Sequence, residues 1–303
     1  MSIENSGLSD KSKYCYSLEP LKMAYEKIMD KYNNPELIHG LQTGFKDLDQ
    51  WLSGLHSGDL ILITGEPTVG KTVFASNIAC HAVITKKRSV LYFTLELSSD
   101  RLILRMLIAT GKMNCLDIYS GKLADDDFGR LTMSVRLLTN NKNLFVVDSM
   151  HSIAEMISHA KLLNQTTPLG LVVIDYLLLV RELINAEADS SIVANLLAKL
   201  KSMATELSVP VIVISNPMLV NGCSGTNNHH ESFKSIPHID VHLNMSNEGV
   251  ASHNTDNLCV TTIEIIRARN AKSGKFSILL LKEFLRFDNL IDDKDYIRGD
   301  DHV

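Results

Sequence analysis

From Ser57 onward, short apolar runs alternate with stretches whose apolar residues recur at helical spacing. LILIT (60–64), VLYFTL (90–95), LFVV (144–147), LVVI (171–174) and VIVIS (211–215) are almost unbroken Val, Ile and Leu, the composition of strands covered on both faces. One helical pattern starts at Lys71 and another occupies SSDRLILRMLIAT. The clearest lies between the last two strands, where Val193, Leu196, Leu197, Leu200, Met203, Ala204 and Leu207 fall on one stripe. Strand followed by helix, repeated, predicts an α/β fold built on a mostly parallel sheet flanked by helices.

Three regions break the rhythm. Upstream, Leu18, Leu21, Tyr25 and Ile28 repeat at helical spacing until Asn33-Asn34-Pro35 stops them, which predicts a helix set apart from the rest. The segment NPMLVNGCSGTNNHHESFKS has no apolar period and predicts a long exposed loop, a kind of segment that tends to carry function. After it, VTTIEIIRA and FSILLL, separated by RNAKSGK, predict an antiparallel hairpin at the sheet edge, and the charged tail from Asp292 is expected to fray.

Composition narrows the functional classes. With 303 residues, 45% of them hydrophobic, the chain can build one large core or a core with a small appendage. MSIENSGLSDKSK is polar and the longest apolar run, GLVVIDYLLLV, is interrupted by Asp175, so neither a signal peptide nor a membrane span is expected and a cytoplasmic location is. Cys15, Cys80, Cys115, Cys223 and Cys259 are scattered without a CxxC pair, which indicates neither a disulfide frame nor a zinc ribbon. A net charge of -5 argues against a uniformly basic nucleic-acid coat but leaves room for a basic lining on one loop.

The strongest chemical signal is GEPTVGKT, Gly65, Glu66, Pro67, Thr68, Val69, Gly70, Lys71 and Thr72, directly after the run LILIT. It satisfies G-x-x-x-x-G-K-[ST] between a strand and a helix, where backbone N–H groups can wrap a polyphosphate at the positive end of the helix. Lys71 would reach the β and γ phosphates of ATP and the Thr72 hydroxyl would hold Mg²⁺. The alternative is a glycine turn with a chance lysine.

Four further positions fit the same chemistry. Asp175 ends the run LGLVVID, at the carboxyl end of a strand where ligands of open α/β sheets bind, and would supply a second metal-side oxygen; alone, it could merely cap a turn. Glu96 ends VLYFTLE and would project into the same crevice to position or deprotonate water, or it could be a first-turn residue favoured by the following helix dipole. Arg267 and Arg269, two residues apart on one strand face, suit a phosphate of this subunit or a neighbour, or a solvated edge that blocks aggregation. His229, His230, His238 and His242 lack the spacing of a closed zinc site and read as loop and surface residues.

Together these residues resemble the C-terminal ATPase domain of DnaB-type replicative helicases, a hexameric branch of the RecA-like P-loop NTPases. LQTGFKDLDQWLSGLHSGDLILITGEPTVGKT looks like that family's entry into the P-loop, and FTLELSSDRLILRML like its catalytic-glutamate strand and helix. SGKLADDDFGRL, GLVVIDYLLLV and LAKLKSMATELSVPVIVIS continue in order, so the resemblance runs from Leu18 to Phe287. It implies residues 1–36 as a polar tail and a linker helix docking on a neighbour, 37–291 as the ATPase domain and 292–303 as a charged tail. It also implies a homo-oligomer in the form of a hexameric ring, single-stranded DNA as substrate, a helicase loader or primase as partner, and Arg267 with Arg269 acting in trans on a neighbour's ATP.

Three departures shape the expected function. Only residues 1–17 precede the helix, where the family has an N-terminal helical domain, so the resemblance implies a form lacking that domain. Asn216 stands where the family carries a γ-phosphate-sensing glutamine. The DNA-contacting loop reads HHESFKSIPHID, with Lys234 as its one clear cation, and phosphate neutralisation supplies most non-specific DNA affinity. The expectation is an ATP-dependent DNA helicase of the DnaB type; a ring-forming regulatory or assembly subunit with little DNA coupling and a RecA-like recombinase-type ATPase stand as alternatives.

Overall fold

A computed structural model of the chain describes residues 18–34, 38–140, 142–184, 190–215, 238–247, 258–269 and 273–290. Two units emerge, residues 1–38 and 39–303. The first contains helix α1 (Leu18–Asn33), on which Leu21, Tyr25, Ile28 and Tyr32 share one face at i, i+4, i+7 and i+11 spacing and are all more than 60% exposed.

The second unit begins with α2 (Lys46–Leu52), then β1 (Leu60–Gly65), α3 (Lys71–Ile84), β2 (Ser89–Thr94) and α4 (Ser99–Gly111). Two helices, α5 (Cys115–Ser120) and α6 (Asp125–Thr139), lead to β3 (Leu144–Val147), α7 (Ile153–Thr166) and β4 (Leu169–Asp175). A short α8 (Arg181–Ile184) and the long α9 (Ser190–Leu207) precede β5 (Val211–Ile214). The last third is strand: β6 (Val241–Asn247), β7 (Leu258–Ala268), β8 (Gly274–Leu281) and β9 (Arg286–Asn289).

These nine strands form one sheet in the order β3-β2-β4-β5-β1-β6-β7-β8-β9. The pairs from β3 through β6 are parallel and the three pairs from β6 to β9 antiparallel. The expected α/β class with a mostly parallel sheet flanked by helices is therefore the observed one. Alternation along β1 explains its unbroken apolar run: Ile61 and Ile63 join the core containing α3 and α4, while Leu60 and Leu62 join the core with α7 and α9. The stripe on α9 is buried as expected, Val193, Leu196, Leu197, Leu200, Met203 and Ala204 all lying in that second core.

α3 is fixed by aromatic packing. Phe74, fully buried, stacks on Phe45 at a centroid distance of 4.7 Å and takes the edge of Phe287 at 6.0 Å. Six residues on, burial pushes the Cys80 thiol up to about 12. The thiol is then protonated at neutral pH, and iodoacetamide is expected to label Cys80 only after denaturation; rapid labelling of the native protein at neutral pH would contradict this burial.

Two expectations change. The β7–β8 hairpin is not the edge of the sheet: β6 covers β7 and β9 covers β8, so an edge-protection role for the arginines of β7 does not apply. β6 and β9 carry too little apolar alternation to stand out, VHLNMSN being mixed and RFDN holding a single apolar residue. The segment 216–235, expected to be a long loop, and the tail from Asp292 lie outside the described residues.

Candidate active site

The junction of β1 and α3 leaves no room for side chains at its two glycines. A Cβ on Gly65 (φ +151) would fall 2.4 Å from the Met245 carbonyl oxygen of β6, and one on Gly70 (φ +97) would fall 2.9 Å from the Phe287 ring. Between them Val69 is buried in the core and Thr68 takes a left-handed conformation (φ 69), so the loop is pinned at its base while its backbone faces outward. Phe74 N–H bonds Gly70 O at 2.8 Å, and the N–H groups of the first α3 turn keep no intrahelical acceptor, which suits an anion.

Lys71 Nζ donates to Gly65 O and Glu66 O, both at 2.8 Å, folding the lysine back over its own loop. Burial holds its pKa below the ordinary lysine value, while Asp175 and Glu96 pull it back up. The position is that of a cation held by loop carbonyls with two carboxylates nearby.

Asp175 closes β4 and is 2% exposed. Thr72 Oγ1 donates to its Oδ1 at 3.3 Å and Tyr92 OH to its Oδ2 at 2.9 Å. Burial raises the Asp175 pKa to about 6, against the lowering effects of both hydrogen bonds and of Lys71; Glu96 adds to the rise. Tyr92 itself is fully buried and its pKa lies well above the ordinary tyrosine value, first through burial and then through the neighbouring Asp175, so it stays a donor. The Thr72 hydroxyl and the Asp175 carboxylate are hard oxygen donors, the set that suits Mg²⁺ rather than a softer metal.

Glu96, two residues beyond β2, is exposed at the mouth of the same cleft, whose volume is about 430 Å³. Pro67, Thr68, Gly70, Lys71, Thr72, Asp175, Tyr176 and Ile214 line it too, as does Arg105 from α4. Sequence reading brought Lys71, Thr72, Asp175 and Glu96 to one crevice but missed Tyr92, whose role depends on pairing β2 with β4, and Arg105, nine residues after Glu96 on the next helix. A second cavity of about 300 Å³, between the later turns of α3 and β9, contains none of the P-loop residues.

The remaining candidates lie elsewhere or outside the described residues. Arg267 is the last residue but one of β7, and Arg269 falls just beyond the strand's end, so simple strand alternation does not relate them. Neither lines the cleft of its own chain. His242 is not a surface residue: it is 1% exposed, and its Nε2 lies 2.8 Å from Thr64 Oγ1 at the end of β1. Asn216, Lys234, His229 and His230 lie outside the described residues.

Residues 40–220 match the family model described as DnaB-like helicase C terminal domain. The replicative DNA helicase DnaC of Bacillus subtilis (strain 168) is 31% identical over 282 residues, covering 89% of this chain and 61% of the relative. Replicative DNA helicase DnaB of Geobacillus stearothermophilus is 30% identical over 287 residues, covering 87% and 61%. The chain thus spans about three fifths of the length of these relatives. Among solved structures, the ATPase domain of G40P superposes with a TM-score of 0.79 at 23% identity, covering 92% of this chain and all of that one. A DnaB-like replicative helicase studied with its primase gives 0.75 at 24%, covering 94% and 69%. Both are likenesses of fold.

Proposed function

Because the chain belongs to the family of DnaB-like helicase C-terminal domains, we propose that it is an ATP-hydrolysing motor that moves on single-stranded DNA during replication. The observation that carries this reading is the convergence of Lys71, Thr72, Asp175 and Glu96 on one cleft at the carboxyl ends of β1, β2 and β4.

In this reading the backbone of Gly65 to Thr72 cradles the triphosphate, and Lys71 exchanges its two carbonyl acceptors for phosphate oxygens. Thr72 and Asp175 hold Mg²⁺, which when bound neutralises phosphate charge. Tyr92 fixes the Asp175 carboxylate, and Glu96 orients water and accepts its proton. Arg267 and Arg269 act on the nucleotide of a neighbouring subunit. Geometry within one chain supports this: Arg269 N–H bonds Asp240 O, and Asp240 sits beside Leu60 at the amino end of β1, whereas the P-loop leaves its carboxyl end. Five strand steps separate them, roughly 17 Å, farther than a side chain reaches.

Residues 1–36 form the tail and linker helix, 37–291 the motor and 292–303 a charged tail. The exposed face of α1, with Leu21, Tyr25, Ile28 and Tyr32, is the surface that docks on a neighbour to close a hexameric ring. Asn216 senses the γ phosphate, and Lys234 contributes to the DNA grip. A loader or primase are the protein partners. Among the described residues no helix is long and apolar enough to cross a membrane, in keeping with work in the cytoplasm.

Steady-state ATP hydrolysis by the purified protein, with and without single-stranded DNA at low and moderate salt, tests the reading. Stimulation by DNA that weakens as salt rises is expected, because phosphate contacts release counterions. Basal hydrolysis indifferent to DNA in both salts would replace the motor with a ring-forming regulatory or assembly subunit.

A further inference from the structure

Asp240 is a buried acid that the chemistry above does not use. Its side chain is fully buried one residue before β6, where an isolated carboxylate would be costly. Its Oδ2 accepts the Leu60 N–H at 2.8 Å and Lys201 Nζ at 2.6 Å, and Lys201 also donates to Gly58 O at 2.6 Å. Both donors hold one oxygen of the carboxylate, and Lys201 places a positive charge beside it.

The other oxygen faces Arg269. Arg269 Nη2 lies 2.7 Å from Asp240 Oδ1, within ion-pair distance but off the angle of a hydrogen bond, so the contact orients the guanidinium without consuming a directed donor. At its base the same arginine is tied by its N–H to Asp240 O at 3.1 Å. One residue therefore holds Arg269 at both ends. The arginine side chain is 59% exposed, and a pair this exposed contributes little to folding. Asp59 beside it is a second carboxylate, its pKa raised by burial and then by Asp240 and lowered by His56, Lys201 and Arg269, so Arg269 faces two acids here. Asp240 is the one that anchors it at both ends, with most of its N–H donors left for an oxyanion.

We propose that Asp240 is a positioning residue that presents Arg269 to the nucleotide of the neighbouring subunit. This rests on the reading of Arg269 as acting in trans. The carboxylate does for the guanidinium what a second carboxylate does for a ligating histidine: it sets the attitude of the group that touches the reacting phosphate.

The test uses the full chain carrying Asp240→Asn, with its thermal midpoint measured beside its kinetics. Turnover is expected to fall about tenfold with KM for ATP moving less than about twofold, since the arginine meets charge that develops in the transition state. Asp240→Asn combined with Arg269→Ala should be no slower than Arg269→Ala alone. Mixed rings separate this role from a structural one. Asp240→Asn subunits should regain turnover when mixed with Lys71→Ala subunits, which supply an intact arginine, and should not regain it with Arg269→Ala subunits.

Recovery with Arg269→Ala partners instead, unchanged turnover in folded Asp240→Asn, or additive losses in the double variant would overturn the proposal. If Asp240→Asn does not fold, Asp240→Glu, which keeps the charge but moves the carboxylate by one methylene relative to Arg269, carries the same expectations, and full activity in that variant counts against the proposal. Mixing Lys71→Ala with Arg269→Ala subunits tests the underlying reading separately. No recovery there removes the trans role of Arg269, and the role of Asp240 with it.

Discussion

Lys71→Ala is expected to reduce ATP hydrolysis by at least about 10²-fold, to the limit of a coupled assay, the scale on which single donors to developing negative charge act. The lysine is the cation set into the loop itself, its Nζ 2.8 Å from two loop carbonyls and its neighbours two carboxylates. Alanine removes the donor that these two carbonyls share, at a cost to stability of about 1 kcal/mol. The thermal midpoint should therefore stay near that of the parent while both nucleotide affinity and turnover collapse. A variant that still hydrolyses ATP at the parent rate would place the phosphate site elsewhere.

Glu96→Gln should separate binding from chemistry. The amide keeps the size and polarity of the side chain but cannot take a proton, and loss of a general base costs about 10²- to 10⁴-fold. Glu96 is exposed beyond the end of β2, so the substitution should leave both the thermal midpoint and ATP binding close to the parent values. Binding of a fluorescent ATP analogue alongside a single-turnover hydrolysis measurement reads the two apart. Normal turnover would take Glu96 out of the chemistry.

What the sequence made legible follows from what is contiguous in it. GEPTVGKT reads as a phosphate loop because strand, turn and helix are consecutive and the functional residues sit within one turn of one another. Asp175 and Glu96 were reachable because each directly follows an apolar run that could only be a buried strand. Tyr92 was not: it lies mid-strand in an apolar run, and only the pairing of β2 beside β4 turns its hydroxyl toward Asp175. His242 read as a surface residue because β6 is half polar, and its burial comes from lying parallel to β1, about 180 residues away in the chain. Asp240 was invisible for the same reason, its three partners coming from β1, α9 and the end of β7. The arginines of β7 seemed to sit at an edge because the four residues of β9, which extend the sheet beyond β8, carry almost no pattern.

β1 has its phosphate loop at one end and, beside its other end, the residue that grips Arg269. On the proposed trans role of Arg269, a chain arranged this way would hold a nucleotide alone but would not bring its own arginine to it. Catalytic competence would then belong to the encounter between copies, so that protein concentration would set how much of the population is able to work. Monomers released by dilution would sequester ATP without spending it.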